Sequence, residues 1–294
     1  MARDINEKKW QRESVNNFYK SVAEVGKSAI YKPFVSRLKT NSASEIVAWL
    51  GDFPGFVEHK DDLKVKAMID HNFTLTVRNW ESTLGFTEYE FNDSPDFYKS
   101  RVTGLAGSLI NHPTSLMFTN LVDNNVCYDG QEFFATDHIY INSEDREATY
   151  SNLVTGTGIT AALIKANFDT GKKNLRDLKQ RNGESLFADL GEITVVCSSD
   201  LESVMDNVFN FPNDGDNLHY KKAKVMVSGN LSGSDWYMFL LDKPMKPFIF
   251  LDRENLRAEW NMELFKTNSK FNFQAKARYS IGNGFPQLAQ KIDN

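Results

Sequence analysis

The chain reads as an α+β protein with a β-rich insertion near its start, and three patterns predict this. Apolar and polar residues alternate with period two in stretches from Leu63 to Val77 and again from Ala258 to Ile281, the spacing of half-buried strands. Ser94-Pro95-Asp96 is a helix-start signal, with a cap residue followed by Pro at the first helical position. Beyond Thr157, helix-spaced apolar stripes take turns with short apolar runs.

In order along the chain, Val15, Phe18, Tyr19, Val22 and Gly26 fall at helical spacing with Ser14 as a candidate cap, in a segment rich in charge. This segment reads as an arm rather than as part of a core. Ile46 to Phe56 is a strand broken by Gly51, Pro54 and Gly55. Leu63, Val65, Ala67 and Ile69, then Phe73, Leu75 and Val77, alternate with polar neighbours. A ribbon of this kind is marginal alone and needs cover. Two covers are open: its own domain, or a neighbouring subunit across which it lies.

The helix from Ser94 carries Phe97, Arg101, Leu105 and Leu109 on one face, and Pro113 is expected to break or kink it after Asn111. Thr149 to Thr157 reads as a Ser/Thr/Gly linker. Ile164, Phe168, Gly171, Leu175 and Leu178 make a second stripe, Glu192 to Cys197 a buried strand, and Leu201, Val204, Met205, Val208 and Phe209 a third stripe behind Ser199-Asp200. Phe211 to Asn217 is turn chemistry. Val225 to Val227 and Trp236 to Leu241 read as a hairpin across Gly229 to Gly233. Pro247 to Leu251 is a short apolar run, and the last strand, Phe271 to Ile281, is about twice the usual length.

Composition bounds the function. At 294 residues the chain has room for one large domain or two ordinary ones. It is 41% hydrophobic and 13% aromatic with 22 Phe, so it has broad apolar surface to bury in a core or against partners. A net charge of −5 argues against a nucleic-acid binder. No apolar run approaches the ~18 residues of a membrane helix, and the first residues lack the apolar stretch of a secretory signal. Cys127 and Cys197 lie far apart, which fits reduced thiols in a cytoplasm. The expectation is a soluble, intracellular, weakly acidic protein.

The stretch Cys127-Tyr128-Asp129-Gly130-Gln131-Glu132-Phe133-Phe134-Ala135-Thr136-Asp137-His138 gathers a thiol, three carboxylates and an imidazole, and invites an enzymatic reading. Cys127 and His138 would be nucleophile and base with Asp137 as orienter. Adjacent Asp137 and His138 do not easily place the carboxylate on the far ring nitrogen, and no cysteine-hydrolase signature is nearby. The other histidines, His59, His71, His112 and His219, are scattered without metal-ligand spacing. His138 is therefore expected to be structural, with Asp129 and Asp137 capping turns. No catalytic, cofactor or metal residues are expected. The basic run Lys172, Lys173, Arg176, Lys179 and Arg181 reads as a solvated helix face, with an acidic partner as the alternative.

Trp49-Leu50-Gly51-Asp52-Phe53-Pro54, Trp80-Glu81-Ser82-Thr83, the Cys127 to His138 stretch and Lys246-Pro247-Phe248-Ile249-Phe250 together resemble the Mu-like prophage major head subunit family, gpT. The most specific part is Tyr128, Asp129, Gly130 and Gln131 with Phe133, Phe134, Thr136, Asp137 and His138; the N-terminal arm is not distinctive. The resemblance implies a phage major capsid protein of the Hong Kong 97-like fold, not an enzyme. It divides the chain into an N-terminal arm (1–40), an extended loop (41–78), a peripheral domain (79–157 and 242–294) with a spine helix and long strands, and an axial domain (158–241).

Function then becomes self-assembly into hexamers and pentamers of an icosahedral head enclosing double-stranded DNA, without sequence-specific binding and without a membrane. Trp49, Phe53 and Phe56 are the expected aromatic anchors between subunits, with Asp61, Asp62, Lys64 and Lys66 as charged contacts. A separate scaffold or protease and a portal protein are the partners the resemblance implies. Assembly would take place in a bacterial host cytoplasm and end in the virion. The alternatives are an encapsulin-like or gene-transfer-agent shell and, more distantly, a cysteine hydrolase using Cys127 and His138.

Overall fold

Two long antiparallel strands, β11 (Phe248–Leu264) and β12 (Ser269–Asn283), run through the structure, a computed structural model. It describes residues 2–50, 70–87, 93–141, 146–180, 183–212, 217–264 and 269–294. The expected short apolar run at Pro247 to Leu251 and the alternating stretch after Ala258 are one strand, bent where the register slips between Asp252 and Arg257. The edges are β1 (Val35–Lys39), parallel to β11, and β4 (Arg78–Thr87), antiparallel to β12.

The alternation of β12 buries Phe271, Phe273, Ala275, Ala277 and Tyr279. Helices α1 (Ala2–Val25) and α2 (Pro95–Asp123) cover it, with Phe18, Val102 and Ala106 packed on Phe273 and Ala275. The arm read from the sequence is thus a docked helix. Phe18 is 0% exposed and meets Phe273 edge-on at 5.3 Å, and Trp10 packs on Trp260 at 5.1 Å. Burial of one such ring is worth about 1.5–3 kcal/mol. Ser14 does not cap the helix but sits in its middle: its hydroxyl accepts from Trp260 Nε1 (2.9 Å) and donates to the Gln11 carbonyl (2.8 Å).

Pro113 lies inside an unbroken α2 rather than ending it. The bond lost to the carbonyl four residues back is offset by packing after the proline, where Met117, Phe118 and Leu121 are at most 2% exposed. These three lie under a second sheet, ordered β7-β13-β10-β8-β9. Its strands are β7 (Leu153–Thr155), β8 (Ile193–Cys197), β9 (Ala223–Val227), β10 (Trp236–Leu240) and β13 (Ala289–Asp293). β8 and β10 are buried on both faces, hence apolar at every position but Thr194 and the Tyr237 hydroxyl. One face carries α3 (Ala161–Asp177) and α4 (Glu202–Phe209). The other packs on Phe34, the end of α2 and the loop after it.

Two sequence readings give way here. Val225 to Val227 and Trp236 to Leu241 are not a hairpin: β9 runs parallel to β8 and β10 antiparallel to its other edge, so β8 lies between them. Thr149 to Thr157 is not a plain linker, because it holds the end of β6 (Glu147–Tyr150) and all of β7. β6 pairs with β5 (His138–Ile141). The five-stranded sheet also takes β7 and β13 from outside the span 158–241 expected for that unit.

The β-rich insertion begins as an antiparallel ribbon of β2 (Ser44–Leu50) and β3 (Asp70–Thr76), paired from Ser44↔Thr76 to Leu50↔Asp70. Its base is anchored by Leu75 against Ile249 and Leu251, with Val47, Phe73 and Val77 around them.

Candidate functional site

The signature stretch begins where α2 stops. Asn124, the C-cap, takes the left-handed conformation (φ 49°), and its side chain then works as a clasp. Asn124 Oδ1 accepts from the Phe134 amide (2.7 Å), and Nδ2 donates to Glu132 Oε2 (2.7 Å) and the Phe134 carbonyl (3.1 Å). Within the loop the Cys127 amide donates to the Gln131 carbonyl (2.6 Å) and the Gly130 amide to the Cys127 carbonyl (3.2 Å). Gly130 has φ 83°, a conformation that favours glycine at this turn. Asp129 Oδ1 accepts from the Gln131 amide at 3.2 Å, closing an Asx turn.

The loop drives two aromatics into the core and seals a hydrogen-bonded histidine–aspartate pair behind them. Phe133 stacks on Phe248 (5.1 Å), and Phe134 tilts against Tyr237 (5.4 Å). His138 Nδ1 lies 2.6 Å from Asp129 Oδ2, and Nε2 lies 3.2 Å from the Phe133 carbonyl. Both ring nitrogens face protein oxygens. Tyr150 stacks on the ring at 5.0 Å. Thr136 and Asp137 point to the surface.

This geometry overturns the cysteine–histidine reading. Cys127 is buried and its thiol meets the Gly284 carbonyl (3.5 Å), while His138 is committed to Asp129 and Phe133. Burial pushes the Cys127 thiol far up, away from the thiolate a nucleophile needs. Cys197, raised to about 11 chiefly by burial, is no better suited.

Sequence reasoning missed two residues that hold the loop. Asn152, 0% exposed, donates to the carbonyls of Phe133 (2.7 Å) and Pro286 (3.2 Å) and accepts from the Ala135 amide (2.8 Å). Asn283, 2% exposed, donates to the Asn125 carbonyl (2.6 Å) and accepts from Asn120 Nδ2 (2.7 Å). Neither carries a sequence signal beyond being a lone Asn in a polar stretch or at a strand end.

Of the expected subunit contacts, Trp49 lies in β2 opposite His71. Phe53, Phe56, Asp61, Asp62, Lys64 and Lys66 lie outside the described residues. On the basic run, Lys173, Arg176 and Lys179 are exposed and Lys172 is half-buried; Arg181 lies outside the described residues.

The family model for the Mu-like prophage major head subunit gpT matches residues 9–164 and 211–294. The chain belongs to that family. Among curated relatives, the Mu-like prophage FluMu major head subunit of Haemophilus influenzae is 28% identical over 138 residues, 45% of each chain, so the match spans less than half of that relative's length. Among solved structures, a chain of the bacteriophage JBD30 procapsid superposes with a TM-score of 0.57 at 20% identity, covering 95% of this chain and 73% of that one. A chain of the bacteriophage PhiM1 mature capsid gives 0.62 at 10% identity, covering 90% and 87%. The chain thus has the Hong Kong 97-like capsid fold. Its family is one of structural head subunits rather than enzymes, and the loop's chemistry is that of a fastener.

Proposed function

We propose that this chain is the major capsid protein of a phage or prophage head, assembling as hexamers and pentamers into an icosahedral shell around double-stranded DNA. The observation that carries the reading is the β2–β3 ribbon. It is anchored at its base by Leu75, while Ile46 on the ribbon stays 64% exposed, an apolar surface suited to a neighbouring copy. Family membership supports the same reading.

In this reading the ribbon is the lower part of the extended loop of segment 41–78. Trp49, Phe53 and Phe56 anchor it on the next subunit, and Asp61, Asp62, Lys64 and Lys66 add exposed pairs worth about 0–1 kcal/mol each. The four-stranded sheet with α2 is the peripheral domain. The five-stranded sheet with α3 and α4 is the axial domain, which meets its copies around five- and six-fold axes. Contacts that close a ring are individually modest, since closure makes the last ones intramolecular. A net charge of −5 suits a container whose wall does not hold its genome. A separate scaffold or protease and a portal protein complete the set of partners, with assembly in the host cytoplasm.

Negative-stain microscopy and light scattering of the purified full chain test this directly. Shells, or rings of five and six, are the expected result. Monomers at every concentration and salt condition overturn it.

A further inference from the structure

We infer that a groove beside α3 receives the exposed side chains of Phe211 and Leu218 from a second copy of this chain, joining neighbours head to tail. This deepens the assembly reading above and rests on it.

The groove encloses about 260 Å³, below the ~300–1,000 Å³ of ordinary small-molecule sites and closer to the size of inserted side chains. Its apolar wall includes Leu178, Leu186, Phe187, Met245, Phe285 and Leu288. Two of its lining residues have polar atoms that are shut off from water and without a hydrogen-bond partner: the Tyr150 hydroxyl and Gln287 Oε1. Such atoms cost about 1–3 kcal/mol each while unmet. The signature loop holds both in place, since Tyr150 stacks on His138 and Gln287 Nε2 donates to the Tyr128 hydroxyl (2.7 Å).

The matching projection is on the same unit. Phe211 is 57% exposed and Leu218 83%, the most exposed large apolar side chain among the described residues. The main chain beside them is tied by Asn217. Asn217, 9% exposed, donates to the carbonyls of Val208 (2.8 Å) and Phe211 (2.9 Å) and accepts from the His219 amide (3.2 Å).

Placement decides for a second copy. His219 bonds Asp169 (3.1 Å) and packs on Phe168, which sets the projection on one flank of α3. Asn174 and Asp177 line the groove. At 100° per residue these two positions lie on the other flank of the helix. A projection and a recess on opposite flanks give a heterologous contact, the kind that closes a ring when its rotation divides a full turn.

The test uses the full chain carrying Leu218→Cys and Lys179→Cys, on the projection and the groove rim, with native Cys127 and Cys197 buried. Oxidation of assembled particles is expected to give a ladder of linked chains that neither single variant gives. Phe211→Ser with Leu218→Asp is expected to raise the assembly threshold about tenfold or more, with an unchanged melting temperature. If the parent assembles but the cysteine pair stays unlinked, or the double variant assembles at the parent's threshold, this contact is wrong and the assembly reading survives. Particles in which Lys179→Cys is shielded from labelling yet never links to Leu218→Cys mean that another segment fills the groove. A parent that never assembles removes both.

Discussion

His138 Nδ1 stands 2.6 Å from Asp129 Oδ2, and neither side chain is more than 2% exposed. The pair ties the start of the signature loop to the first residue of β5. Removing one partner leaves the other sealed without its hydrogen-bond match, at a cost of about 1–3 kcal/mol. Asp129→Ala and His138→Ala are therefore each expected to lower stability by that amount in urea unfolding. The double variant should lose much less than the sum of the two, because the partners act as a unit.

Cys127 and Cys197 are both buried, and burial raises both thiols. A chromogenic disulfide reagent should therefore titrate neither in the native protein and both after denaturation. Fast reaction of Cys127 in the folded chain would contradict the packing of the loop against Gly284.

His112 on α2 lies 2.6 Å from the Tyr279 hydroxyl and meets Trp80 edge-on at 4.4 Å. Burial holds its pKa below the ordinary value of 6.5. The unfolded chain thus binds this proton more readily than the folded one, so stability rises with pH. The contribution is intact above about pH 6.5 and is lost as pH falls through the lowered folded value. The melting temperature of the parent should drop more steeply between neutral pH and pH 5 than that of His112→Gln. Parallel curves for the two proteins would count against it.

What the sequence made legible follows from how locally each feature is determined. The alternation from Phe271 to Tyr279 is visible because one face of β12 is buried along its length. The stripe through Phe18 is equally visible, yet where it docks is a long-range matter, settled by Phe273 and Ala275 some 255 residues later. Strand order is non-local in the same way, so β9 and β10 look like a hairpin until β8 is placed between them. The signature loop was legible as a unit through its Gly turn and paired aromatics. Asn152, which pins that loop, was not, because a single buried amide leaves no periodicity.

Gly282 offers the sharpest way to separate folding from assembly. It sits in β12 beneath the ribbon, and a Cβ there would fall inside the van der Waals envelope of the Leu75 side chain. Leu75 is the buried anchor of the ribbon base, 7% exposed, packed with Ile249 and Leu251. The clash is with the far end of a flexible side chain, so the ribbon shifts more readily than the long strands do. Gly282→Val should therefore cost about 1–3 kcal/mol of subunit stability. Its far-ultraviolet circular dichroism should match the parent's, because the sheets on either side remain intact. Particle yield should nevertheless collapse, since the proposed assembly needs the ribbon to leave its base in the direction of a neighbouring copy. If Gly282→Val instead assembles like the parent while carrying that stability loss, the direction of the ribbon does not govern association.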